Sequence, residues 1–509
     1  MERTIGELFA ESADRHADRE AITSPTVRWT YRELAEEVRR MAGGIASEVG
    51  SDHGRSIAIL CDHDGPLIAA LMAVICAGHA VVIVDPTAPL DQNSKVLDEA
   101  RPAIVLADEL HREAAGRLAK HAGCQCLELS GLNGAFQPPT WVDTHSPAML
   151  AFTSGTSDTP KGAVINQGVV LNAARGGQNA LGLTPDDRLP LLFPLSLTIA
   201  AFPVFLALLT GACVAVLDVR AVGIAPIAGL FERERITIAF LAPTVARFML
   251  DGISGQRFED LRMVMLAGEP VDSEILAGTC AAFGCDEMAV AYGITETGLL
   301  TIAVYSHDNL PRGAVSCGYP IPEVDLVIVD DNGVVVGPDQ VGEIVVVSNH
   351  LFDGYVGRPE LGRLVLGEDP SGRSSRSSYR TGDLGRVDEN GVLTLEGRSG
   401  SSVKVRGRMV GLGEVETDIR DLENVLDSAV LATPLDGVVE LVAYVVPKDM
   451  AEAEPTRWRA ALLANREPYR VPTRWVTLDE FPLLPNGKVN RRALPHRIPP
   501  SARQGSRSR

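Results

Sequence analysis

The chain has 509 residues, a formal net charge of −19, 45% hydrophobic residues and 22% charged residues. That length exceeds one ordinary core and calls for roughly two to four structural units of a globular rather than a disordered chain. The acidic balance argues against a general nucleic-acid or anionic-membrane binder, while leaving room for a local basic pocket that takes a nucleotide.

The cysteines at 61, 76, 124, 126, 213, 280, 285 and 317 are scattered. Cys124-Gln-Cys126 is their one close pair, with His121 nearby, and it lacks metal-ligand spacing; reduced thiols are the expectation. Met-Glu-Arg-Thr opens no signal segment, which reads as cytoplasmic. Leu189 to Leu217 carries no charge and is long enough to span a bilayer, but Pro190, Pro194, Pro203 and Gly211 interrupt it. A strand, a loop, a buried helix and another strand are expected there, so no membrane partner is expected.

In chain order, residues 1–50 read as helices around a short strand. Trp29-Thr30-Tyr31-Arg-Glu33-Leu34 forms a capping box ahead of Leu34, Val38 and Met41 at helical spacing. Ser56–Leu60 is a buried-strand run, followed by a helix from Pro66 to Ala77 and a strand from Ala80 to Val84. Ala103–Leu106, Gln125–Leu129 and Ala148–Phe152 continue the alternation, which predicts a mainly parallel sheet covered by helices.

Phe152-Thr153-Ser154-Gly155-Thr156-Ser157-Asp158-Thr159-Pro160-Lys161-Gly162 follows directly. Backbone N–H groups and hydroxyls in such a loop can wrap anionic oxygens, and Lys161 adds a cation. A Ser/Thr/Gly surface turn would have the same composition. The loop differs from the nucleotide loop ending in Gly-Lys-Ser/Thr, because Gly162 and Ala163 follow the lysine.

Thr237–Ala242 predicts a strand stopped by Pro243, with a helix through Met249. Leu261–Ala267 predicts another strand, ending at Gly268-Glu269-Pro270. Tyr292-Gly293-Ile294-Thr295-Glu296 is a turn carrying an aromatic face, a hydroxyl and a carboxylate. After Gly318, the runs Val324–Val329, Val334–Val336 and Glu343–Val347, separated by Asp-Asn-Gly and Gly-Pro turns, indicate a small antiparallel β unit. Ser371–Ser378 is low-complexity and is expected to be a mobile loop. Tyr379-Arg-Thr-Gly-Asp383 comes next, then Gly397-Arg398, then Ser399-Gly400-Ser401-Ser402 with the composition of a hinge. An α/β tail follows and contains Pro485-Asn486-Gly487-Lys488-Val489-Asn490-Arg491; composition alone would leave that lysine solvated.

The segments 152–162, 292–296, 379–383 and 485–491, in this order, resemble the signatures of the acyl-adenylate-forming enzymes: acyl- and aryl-CoA synthetases, peptide-synthetase adenylation domains and luciferases. The resemblance covers nearly the whole chain. It implies an α/β fold, with a large N-terminal domain of layered, mainly parallel sheets, helices and a small β unit (1–399), and a small mobile α+β lid (400–495). A disordered tail (496–509) is expected beyond. It also implies an ATP-dependent ligase that joins a carboxylate to the α-phosphate, releases pyrophosphate and leaves an acyl-AMP. A carboxylate needs no general base, so positioning and cationic stabilisation would carry the step.

By the same resemblance, Thr153, Ser154, Gly155, Thr156, Ser157 and Lys161 hold phosphates, and Gly268, Glu269, Tyr292 and Gly293 line the nucleotide. Tyr292 stacks on adenine, Asp383 holds the ribose and Arg398 lies near the nucleotide. Thr295 and Glu296 sit by the α-phosphate and Mg²⁺, with Glu296 as metal ligand. Lys488 closes over the site, and Gly400 is the hinge about which the lid turns so that the face around Gly407 replaces Lys488. A thiol, of CoA or of carrier-protein phosphopantetheine, then takes the acyl group. No Ser-bearing carrier segment follows Lys488, so any carrier is expected to be a separate protein.

Three departures touch this reading. Asp158 stands where the family usually has Gly, beside triphosphate oxygens. Gly400 stands where Asp or Lys is usual, and glycine widens the accessible backbone range. Met409 stands where peptide synthetases commonly have Arg.

The resemblance places the acid against Ser196, Thr198, Ile199, Phe202, Phe240, Met265, Ala267, Ala291, Leu299 and Leu300, which are almost wholly apolar. Thr198 aligns with the Asp that holds an amino acid's ammonium, and Ser196 with a His of many CoA ligases. Neither charge is present, which favours an aryl or medium apolar carboxylic acid, of the kind secondary metabolism supplies. Two other readings stand beside this one: an adenylate former with an atypical acid or an amine acceptor, such as a diazotase-like enzyme joining nitrite to an aryl amine, and a non-catalytic nucleotide-binding relative.

Overall fold

Two N-terminal helices start at capping boxes. Thr30 accepts the Glu33 N–H while the Glu33 carboxylate reaches back to the Thr30 N–H, and Tyr31–Val49 follows. Thr4 and Glu7 form the same reciprocal pair ahead of Ile5–Arg15. This computed structural model describes residues 3–495, apart from 51–52, 154–159, 224–225, 254–257, 331, 399–401, 406–407, 436–437, 467, 484–488 and 492.

Contacts divide the chain into two compact units, Met1–Thr381 with Arg386–Thr394, and Gly382–Gly385 with Leu395–Arg509. The first unit is mixed α/β. Its largest sheet has the order Gln125–Glu128, Ile104–Ala107, Ser56–Leu60, Ala80–Ile83, Pro147–Thr153, Lys161–Asn166. All neighbours are parallel except the last pair, where Thr153 faces Lys161 and Phe152 faces Gly162 in antiparallel register. Residues 154–160 therefore join two antiparallel strands. The runs at Ser56–Leu60 and Ile104–Ala107 are buried throughout, as parallel strands covered on both faces must be.

A second sheet runs Ile238–Leu241, Met263–Ala267, Glu287–Ile294, Gly298–Ser306, Tyr319–Pro320, parallel over its first three strands and antiparallel after them. A third has the order Arg28–Thr30, Glu20–Thr23, Cys213–Val216, Arg188–Leu191. The uncharged stretch at 189–217 resolves into strand Arg188–Leu191, helix Thr198–Thr210 and strand Cys213–Val216, matching the expectation. Among the described residues, no helix is long and apolar enough to cross a membrane.

The β-rich part has the order Val324–Val329, Gly342–Ser348, Ser377–Val387, Leu366–Glu368. Two expectations fail here. Val334–Val336 is no strand: Asp330 accepts the N–H groups of Asn332 and Val334, and this local turn leaves only an isolated Val329–Val335 bridge. The serine-rich stretch expected to be mobile is built around Asp369, which accepts the N–H and hydroxyl groups of both Ser371 and Ser374. These donors, with the Ser371 hydroxyl first, hold the Asp369 carboxyl at about 2.

The second unit packs helices Leu412–Arg420 and Pro455–Asn465 on a three-stranded sheet of Val425–Leu435, Val438–Pro447 and Arg474–Thr477. Its core includes Val415, Ile419, Val430, Leu441, Ala443, Trp458 and Leu462.

Candidate active site

The Glu287–Ile294 and Gly298–Ser306 strands form a hairpin whose tip is Thr295-Glu296-Thr297, closed by the Thr297 N–H on the Ile294 carbonyl at 3.2 Å. The register slips between Tyr292 and Gly293, a bulge of the sort that re-aims side chains beside sites. A Cβ at Gly293 would lie 2.4 Å from the Gly298 carbonyl oxygen, so the turn closes only around glycine. Tyr292 is buried, and Thr295 and Glu296 are half-buried.

Glu296 is tied at two points. Its carbonyl accepts the Phe352 N–H at 3.0 Å, and its carboxylate Oε1 accepts the Tyr355 hydroxyl at 2.7 Å. Residues 353–356 run antiparallel beside Lys161–Asn166: Val164 N–H bonds Gly354 O, Asp353 N–H bonds Val164 O, and Val356 N–H bonds Gly162 O, each at 2.9 Å. Asn166 anchors the start of this segment by donating to the Leu351 carbonyl at 2.9 Å and to the Asp353 carboxylate at 3.1 Å. Burial pushes the Asp353 carboxyl up from its ordinary value, against the opposing Asn166 donor. The strand bearing Lys161 and the turn bearing Glu296, over 130 residues apart in the chain, are thus joined through 351–356.

The sequence reading missed Tyr355. Its only signal is a Phe-Asp-Gly-Tyr run behind a valine-rich strand, and nothing in that run announces a partner.

Phe240, Met265 and Ala289 are register partners across neighbouring parallel strands, as are Ala267 and Ala291, so Phe240, Met265, Ala267 and Ala291 share one sheet face. Tyr292, the next residue, belongs to the other face. Phe202, from the Thr198–Thr210 helix, packs edge-on to Phe240 with centroids 5.9 Å apart and planes at 75°. A Cβ at Gly177 would meet the Phe202 ring at 2.6 Å, so this glycine makes room for the aromatic. Ile199 is 48% exposed, and its Cδ1 lies 3.3 Å from where a Gly268 Cβ would stand. Thr198 opens the same helix and is half-buried. Leu299 and Leu300 are buried, with the Leu300 carbonyl taken by the Ile321 N–H. Ser196 lies in the loop before the helix, its hydroxyl 3.5 Å from Asp85 Oδ2.

Glu269 caps a neighbouring helix. Its Oε2 accepts the N–H and hydroxyl of Thr244 at 3.0 and 2.7 Å, in the first turn of Pro243–Ile253. Ser154, Gly155, Thr156, Ser157, Asp158, Gly400 and Lys488 lie outside the described residues, as do the side chains of Thr153, Arg398 and Met409.

In the second unit, Asp383 is buried on the Ser377–Val387 strand. Leu483 and Val489 form an isolated bridge, and the Asn490 N–H bonds Pro482 O. Arg491 then grips buried Glu416 at both oxygens, at 2.5 and 2.9 Å, while Glu416 Oε1 also accepts the Val430 N–H at 2.7 Å.

All eight cysteines are free thiols. His121 pairs with Asp98 rather than with Cys124 or Cys126. Among the described residues, the group able to gather three ligand atoms is Asp62, Asp108 and His111, distant in sequence from every signature. Glu296 and Thr295 at the hairpin tip offer oxygen donors, the donor chemistry that fits Mg²⁺: that ion takes one or two carboxylates and completes its shell from substrate phosphates and water.

A family model described as AMP-binding enzyme matches residues 9–356. Surfactin synthase subunit 1 of Bacillus subtilis (strain 168) is 31% identical over 513 residues, an alignment that spans 97% of this chain and 14% of that protein. The chain therefore spans about a seventh of the length of that curated relative. Among solved structures, a four-domain nonribosomal peptide synthetase bound to AMP and glycine superimposes with a TM-score of 0.86, at 23% identity, over 99% of this chain and 37% of its own. An amide bond synthetase from Marinactinospora thermotolerans gives 0.81 at 25% identity, over 96% and 98%.

Proposed function

This chain belongs to the AMP-binding enzyme family, and from that membership as an ATP-dependent, AMP-forming ligase we propose that it activates an apolar aryl or acyl carboxylic acid. The acid would become an acyl-AMP with release of pyrophosphate, and the acyl group would pass to the thiol of CoA or of a separate carrier protein. One observation supports the acid class above the others. The sheet face of Phe240, Met265, Ala267 and Ala291, with Phe202 edge-on to it, is apolar and partly aromatic. Thr198 at its border brings no charge to meet an ammonium, and an unpaired buried ammonium is costly.

In this reading Thr153, Lys161 and the loop 154–157 hold the β- and γ-phosphates, with Gly268 and Glu269 at the nucleotide's edge. Tyr292 and Gly293 receive adenine, Asp383 receives the ribose, and Arg398 lies near the nucleotide. Glu296, with Thr295, would hold the Mg²⁺ that neutralises phosphate charge. Lys488 would meet the carboxylate and the α-phosphate, three residues before the Arg491 that grips Glu416. Stabilisation of developing charge by such a lysine is worth about 10²–10³ in rate. Lys488→Ala should therefore abolish acid-dependent pyrophosphate release while ATP still binds, and unchanged release would sink the mechanism.

A second reading replaces the thiol with an amine. It is supported by the likeness, over nearly all of both chains, to a protein described as an amide bond synthetase. A panel of benzoates, cinnamates, medium-chain acids, amino acids, and nitrite with aryl amines separates the readings. Release with thioester formation supports CoA, release with amide formation supports the amine, and release with nitrite alone removes the apolar-acid reading.

A further inference from the structure

We propose that Tyr355 is a positioning residue for Glu296, holding carboxylate Oε1 so that Oε2 is presented to the cation that accompanies the nucleotide. The inference rests on the reading of Glu296 as metal ligand given above.

A glutamate at a hairpin tip has three rotatable side-chain bonds and would ordinarily sample several orientations. Here its backbone carbonyl is fixed by the Phe352 N–H and its Oε1 by the Tyr355 hydroxyl at 2.7 Å, two anchors from one short segment. That segment cannot drift from the phosphate side of the site, because its backbone pairs with Gly162 and Val164, directly after Lys161. The Tyr355 ring is held in turn: Phe352 packs edge-on at 5.0 Å. Tyr379 also packs edge-on to Phe352 at 5.4 Å and is buried. The result is a cluster of the Tyr379, Phe352 and Tyr355 rings behind the hydroxyl that bonds Glu296 at the hairpin tip.

A phenol is protonated at neutral pH, so the Tyr355 hydroxyl is the donor of this bond. A donor on one carboxylate oxygen fixes which lone pairs remain for a cation, the role outer-shell partners play for liganding carboxylates.

The test measures binding of a non-hydrolysable ATP analogue by calorimetry, with Mg²⁺ and with EDTA, for wild type, Tyr355→Phe, Phe352→Leu and Glu296→Gln, alongside kcat and KM for MgATP. Tyr355→Phe should leave binding in EDTA unchanged and lose about tenfold of the Mg²⁺-dependent gain, with KM for MgATP rising more than kcat falls. Phe352→Leu, which loosens the packing of the Tyr355 ring, should move the same quantities in the same direction by a smaller factor, and it answers the question if Tyr355→Phe folds poorly. A full Mg²⁺ gain in both Tyr355→Phe and Phe352→Leu, with the gain lost in Glu296→Gln, overturns the positioning role alone. A full gain in Glu296→Gln overturns the metal-ligand reading on which it rests.

Discussion

Arg491→Met should destabilise the second unit far more than Glu416→Gln, although the two substitutions break the same ion pair. Glu416 is the buried partner: its side chain is 8% exposed against 45% for Arg491. Removing the arginine strands a carboxylate that keeps, among the described residues, the Val430 N–H, and an uncompensated buried charge costs about 3–5 kcal/mol. Neutralising Glu416 instead leaves an amide with hydrogen-bonding capacity and a guanidinium that water already reaches, at a cost of about 1–2 kcal/mol. With a urea m-value of about 1.5 kcal/mol/M for a unit of this size, the midpoint should fall by about 2–3 M for Arg491→Met and by about 1 M for Glu416→Gln. Trp458, buried in that core, and Trp475 report this unit once Trp29 and Trp141 are replaced by phenylalanine. A separate transition for the unit must be checked first, since a two-unit chain need not unfold in one step. An Arg491→Met shift below about 0.5 M, or one smaller than that of Glu416→Gln, would refute the assignment of the desolvation cost to Glu416. Because this clamp lies three residues past Lys488, Arg491→Met should also lower pyrophosphate release at urea concentrations far below its midpoint.

Two other expectations concern the first unit. Gly177→Ala places a methyl 2.6 Å from the Phe202 ring, whose free end swings more readily than the helix shifts. Specificity kcat/KM for the preferred acid should then drop about tenfold with KM for ATP unchanged, and an equal change in both would place Phe202 outside the acid pocket. Asp187 is buried, which pushes its carboxyl up, but Arg262, Thr237 and Thr184 outweigh burial and hold it below its ordinary value. A lowered folded value gives stability that is full above about pH 4 and is lost as pH falls through the folded value. The Asp187→Asn deficit in the urea midpoint should shrink between pH 5 and pH 3; a deficit constant over that range would contradict the linkage.

Where the physics is local, the order of amino acids was enough. The capping box at Thr30, the apolar strands bounded by glycine and proline, and the proline-broken stretch at 189–217 all carry their outcome within a few residues, because caps, periodicity and chain breaks act at short range. The family, too, was legible, since its signatures are short runs in a fixed order. Other features waited on the folded chain. Val334–Val336 has the composition of a strand, but the Asp330 turn took the Val334 N–H and left an isolated bridge. The serines after Asp369 look unstructured until one carboxylate collects their hydroxyls and N–H groups. Tyr355 is an unremarked aromatic until the chain returns beside Lys161–Asn166 and sets its hydroxyl on Glu296, 59 residues earlier. A side chain's partner across such a span depends on strand pairing that no local preference encodes, and there the sequence alone could supply the residues without their neighbours.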